Sequence, residues 1–127
     1  DEAIIFGSVE AKGAYDIRLL NDEVFGDVKV RKLGLGGYQS PNGAADVYGS
    51  TVIGNVEMRD NYSPHHVWVG RPDQGNIIGG NVKLSGNEAP EIKAVDNHIG
   101  GSLRCEDNST NPVVSGNVVH VHVQCDD

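Results

Sequence analysis

Alternate residues along this chain spell one short row six times over. From Ile78 the row reads Ile78, Gly80, Val82, Leu84, and it recurs as Ile99, Gly101, Leu103, Cys105 and as Val52, Gly54, Val56, Met58. Earlier stand Val24, Gly26, Val28, Val30 and Ile5, Gly7, Val9, Ala11. The last copy, Val119, Val121, Val123, Cys125, carries Val in the Gly place. The copies begin at positions 5, 24, 52, 78, 99 and 119, at intervals of 19, 28, 26, 21 and 20 residues. Apolar residues two apart share one face of a strand. Gly, Pro and Asn interrupt the chain too often for helices, whose interiors each Gly or Asn destabilises by up to about 1 kcal/mol. The chain reads as all-β.

A second short apolar segment separates the copies: Ile17/Leu19, Val47, Val67/Val69, Ile92/Ala94 and Val113. Two strands per repeat at this spacing fit a single-stranded parallel β-helix, each strand pairing with its equivalent in the next coil. The expectation is one β-solenoid domain over 1–127, of about six coils, with a loop insertion at about 32–46 and right-handed winding. A β-sandwich would show hairpins instead of an in-phase repeat.

The register assigns roles. The rows point inward, with Gly where two backbones approach. Asn76, Asn97 and Asn117 stand two residues before a row, and Asn61, Asn87 and Asn108 three after. Stacked coils would join these amides into ladders. Asn61-Tyr-Ser and Asn108-Ser-Thr also match the N-glycosylation pattern, although the ladder position explains both Asn. Between the row residues, one outward column reads Glu10, Lys29, Glu57, Lys83, Arg104, Gln124, mostly alternating in sign. Another reads Phe6, Phe25, Ile53, Gly79, Gly100, His120, whose large apolar members need cover from the insertion or a partner.

Few residues suggest chemistry. Cys105 and Cys125 hold the last place of adjacent rows, so stacking brings their Cα atoms about 5 Å apart, within disulfide range. Two buried thiols or a metal site are the alternatives. A disulfide implies an oxidising compartment. His120 and His122 share a strand face as weak metal candidates, two ligands where sites use three or four. Asp60, Asp96, Asp107 and Asp126-Asp127 sit beside turn Asn residues and read as turn chemistry. No nucleophile–base pattern, phosphate loop or recurring carboxylate pair stands out, so the expectation is no enzyme and no cofactor. Arg18, Tyr48, Trp68 and Lys93 read outward on the second strand, as an aromatic platform for a sugar ring or as cation–π pairs alone.

Charge narrows the partners. With 18 acidic residues against 10 basic and a net charge of −8, nucleic acid is a poor partner, because such binding draws on Lys and Arg. No apolar run reaches the ~20 residues of a membrane span. Residue 1 is Asp, not Met, which suggests a fragment or a processed chain, and removal of a secretory signal peptide would explain it. The expected location is extracellular or on the cell surface.

The Asn-x-Ile-Gly-Gly-x-[Leu/Val]-x-[Cys/Leu]-x-x-Asn blocks at 76–87 and 97–108, with the closing Gln124-Cys125, resemble repeats of small secreted bacterial β-solenoid proteins. The likeness spans about half of the chain and implies secretion and a solenoid. In architecture alone the chain is also similar to bactofilins, cytoplasmic solenoids that polymerise end to end. The expectation is a secreted structural protein that stacks head to tail through Ile5, Gly7 and Val9 at one end and Val119, Val121 and Val123 at the other. Its partner would then be itself. A surface glycan-binding module, with polysaccharide as partner, is the alternative.

Overall fold

A computed structural model describes residues 2–13, 16–32, 44–63 and 65–125. Every pair of neighbouring strands is parallel, and each coil passes through three sheets in turn. The first sheet stacks Ile4–Ile5, Glu23–Val24, Thr51–Val52, Ile77–Ile78, His98–Ile99 and Val118–Val119. The second stacks Val9–Lys12, Val28–Arg31, Val56–Arg59, Val82–Ser85, Leu103–Glu106 and Val123–Gln124. The third stacks Ile17–Leu20, Ala45–Tyr48, His66–Val69, Glu91–Val95 and Val113–Ser115. With six strands on two faces and five on the third, the chain is a β-solenoid of about five turns.

The expectation of two strands per repeat needs correction, because each repeated row is two strands. Its first residue lies in the first sheet, its last two in the second, and the Gly sits at the corner between them. Period two survives the bend because the corner takes an even number of residues to turn, so alternation alone does not reveal it. The Gly has a steric cause. A Cβ on Gly54, Gly80 or Gly101 would lie 2.8–2.9 Å from the carbonyl oxygen of the corner Gly one coil earlier. Real Cβ contacts are longer than this, so a side chain would force the coils apart.

The inward residues of the middle coils form one dry core: Val52, Val56, Met58, Ile78, Val82, Leu84, Ile99 and Leu103 are essentially inaccessible. Fully burying a side chain of this size contributes roughly 1.5–3 kcal/mol. On the third sheet Val114, not the expected Val113, is the inward residue; Val113 pairs with Lys93 on the outer face and is 50 % exposed.

Side-chain ladders secure all three corners. Asn76 and Asn97 each accept a backbone N–H from the coil before, while their Nδ2 groups donate to the inner carbonyls of Val47 and Val69. Between the second and third sheets Asn87 and Asn108 likewise accept a backbone N–H from the coil before, and the Nδ2 groups of Asn61, Asn87 and Asn108 donate to Val30, Met58 and Leu84. In the folded chain the Nδ2 groups of both glycosylation-pattern Asn are therefore engaged. At the Gly corner the sense reverses. Ser8, Asp27, Asn55 and Asn81 accept the backbone N–H of Asp27, Asn55, Asn81 and Ser102 from the following coil. Asp60, Asp96 and Asp107 occupy left-handed turn positions, with φ of 56°, 57° and 53°, where Asp is tolerated.

The charged column keeps its expected register, Glu10–Lys29–Glu57–Lys83–Arg104–Gln124. Glu10 nevertheless pairs diagonally with Arg31 rather than across to Lys29. Most of the expected insertion, 33–43, lies outside the described residues, as do Asp126 and Asp127. Ala45 and Asp46, placed in the insertion from sequence, belong instead to a strand of the third sheet.

Candidate functional site

The outer face of the third sheet gathers the most unusual group of side chains. Its central rung is Arg18–Asp46–Trp68–Lys93. The sequence reading put Tyr48 in this rung, but Tyr48 pairs with Leu20, one pleat further along, and is buried. Asp46 is the residue that reading missed. Only the coil alignment reveals it, because the chain between Arg31 and Ala45 has no repeat from which to count.

Asp46 is a fully buried carboxylate. Its Oδ2 accepts a hydrogen bond from Arg71 Nη2, lies 3.3 Å from His66 Nε2 and faces Arg18 Nε at 4.0 Å. Burying a carboxylate is costly unless it is paired and hydrogen-bonded, and the Arg71 guanidinium, with Arg18 further off, supplies the pairing on one oxygen. The other oxygen, Oδ1, has no partner, nor does the equally buried indole N–H of Trp68. The hydrogen bond to Asp46 is the main cause that holds the Arg71 guanidinium above its ordinary pKa, against a smaller opposing effect of burial.

Cations and a second ring cover the aromatic surfaces. Arg71 lies 4.1 Å from the Tyr48 ring centre and 5.0 Å from that of Trp68. Lys93 Nζ stands 4.9 Å from the Trp68 centre, and the His66 ring stacks on the indole at 4.0 Å. The four expected platform residues thus share a neighbourhood without forming an open aromatic shelf. Beside them a shallow depression of about 300 Å³ is lined by Asp16, Arg18, Ala44, His65 and His66.

Cys105 and Cys125 form the expected disulfide, with Cα atoms 4.4 Å apart. His122 does not join His120. The partner of His120 is His98, with Nε2 atoms 2.8 Å apart. Among the described residues no group of three or more His, Cys, Asp or Glu is placed to hold a metal ion, and no helix is long and apolar enough to cross a membrane.

The expected assembly residues lie on the two end coils. Ile5 and Val9 are half-buried on the first, and Gly7 turns the corner between them. On the last, Val119 is half-buried while Val121 and Val123 are 72 % and 49 % exposed. On the flank, Phe6 and Phe25 stack at 5.4 Å, and both remain exposed with Ile53. The insertion, the other cover expected for this column, lies largely outside the described residues. No protein-family model, curated protein or solved structure matches the chain.

Proposed function

We propose that this chain is a secreted, non-catalytic structural module whose copies stack head to tail. The observation that carries the reading is Gly7. Every later corner Gly is enforced by the coil before it, yet a Cβ on Gly7 would meet nothing within 4 Å. A glycine that the described coils do not require fits a further coil seated on that face, which in this reading comes from a second copy. The corner ladder supports the same reading, because Ser8 stands where the corner residues of the next four coils receive a side-chain acceptor from the preceding coil. In a second copy stacked in register, His122 would occupy that acceptor position, His120 would face Phe6, and Gln124 would face Glu10. Ala3 has no side-chain oxygen to extend the ladder that ends at Asn117, so the joint would be weaker than a contact between coils.

Such a contact does not close on itself, so it propagates into a fibre. The disulfide suits an oxidising, extracellular setting. Sedimentation and electron microscopy over a concentration series test the reading. Fibres or ladders of oligomers are expected, and Gly7→Val should reduce them to monomers. Discrete monomers at every concentration, or unchanged fibres from Gly7→Val, would overturn it.

The second reading is a glycan-binding surface at Trp68 and Tyr48. The unpartnered Asp46 Oδ1 and Trp68 N–H favour it, since sugar hydroxyls pair with such groups. Arg71 or His66 must first move aside. Glycan-array binding that Trp68→Ala abolishes would support this reading; an empty array would remove it.

A further inference from the structure

His98 and His120 come from successive coils and project from the same outer face. The rungs beside them explain why they meet. Gly79 and Gly100 precede His120 in its outward column and carry no side chain, so the His120 ring has open space toward the earlier coil. His98 occupies the neighbouring rung, paired with Val118. The rings settle with centres 4.9 Å apart and planes tilted by 43°, and their Nε2 atoms lie 2.8 Å apart. At that distance one ring donates its proton and the other accepts it. Both rings are exposed, so the contact is open to small solutes.

We propose that this pair is a two-imidazole site for a divalent first-row transition ion, Cu²⁺ above Zn²⁺, with solvent filling the remaining positions. Two metal–nitrogen bonds of about 2.0–2.1 Å at the angles of tetrahedral or square coordination separate the nitrogens by roughly 2.9–3.4 Å. The observed separation is within a small ring rotation of that span, so the ion takes the place of the shared proton. Each histidine is on or just beyond a strand hydrogen-bonded into the sheet. The second imidazole is therefore already placed when the first binds, which raises its effective concentration. The net charge of −8 favours approach of a cation. A solvent-filled coordination sphere also leaves positions for a group from another molecule.

A head-to-tail joint would set Phe6 of the next copy over His120, so the site is tested on the untagged chain at a dilution where it is monomeric, by calorimetric titration with Cu²⁺ alone. The expectation is one ion per chain, with His98→Ala and His120→Ala each weakening binding roughly tenfold or more and His122→Ala leaving it unchanged. The exposed positions make all three variants compatible with the fold. Histidine proton resonances should shift or broaden for His98 and His120 first. Absence of binding by the unaltered chain would overturn the proposal. So would binding indifferent to both substitutions, or binding lost with His65→Ala instead.

Discussion

The coil through Val52, Val56 and Met58 and the coil through Val119, Val121 and Val123 follow the same alternating row. In the middle coil every inward side chain is inaccessible, whereas Val121 and Val123 are 72 % and 49 % exposed. The middle coil has neighbours above and below; the last has one. In a solenoid, burial comes from stacking rather than from the strand itself, so one pattern produces both a core and an open end. The disulfide ties the open coil to its neighbour where packing does not hold it.

Core truncation should separate these coils most sharply. Met58→Ala empties a fully buried site and should cost about 2–5 kcal/mol, while Val123→Ala should cost about 0.5 kcal/mol or less. Urea unfolding of both variants checks this, and equal losses would break the comparison. Asn87→Ala comes next. It leaves the buried carbonyl of Met58 without its 2.9 Å donor and Asn61 Nδ2 without its 2.9 Å acceptor, a loss of about 3 kcal/mol.

Reducing the disulfide, which closes a separation of 20 residues, should remove about 3 kcal/mol in the loop-entropy account. The effect should be local. Hydrogen exchange should accelerate across 118–125 and stay slow across 51–58, and uniform acceleration would show that the end coil is part of one cooperative unit. The smallest pair of effects is the most pointed. Gly80→Ala pushes a Cβ against the Gly54 carbonyl at 2.9 Å and should destabilise by about 1–3 kcal/mol. Gly7→Ala, with open space around it, should be neutral or stabilise by up to about 1 kcal/mol through the unfolded chain. Thermal melts of dilute monomer read the sign of each.

Much of the fold was legible because a solenoid repeats one solution. Six in-phase rows established parallel stacking, the Asn ladders, the charged column and the Cys105–Cys125 pairing. Each needs only equivalent positions one coil apart. The Gly corner was hidden because alternation passes through it unchanged. The third-sheet site was legible only in part. Trp68, Lys93 and Arg18 align by counting from their rows, but Asp46 follows a stretch without a repeat, and Arg71 reaches the site from the turn after its strand.

By itself the sequence determined the periodicity, and with it which residues stack on which, because parallel in-register pairing leaves few other arrangements. The tertiary structure alone decided where each row bends and which outward side chains meet. Asp46 is buried among Arg18, His66 and Arg71, and His98 leans onto His120. Apart from Arg18, which pairs directly with Asp46, those contacts depend on diagonal approach between coils, and diagonal neighbours depend on side-chain direction and free space that a one-dimensional repeat does not encode.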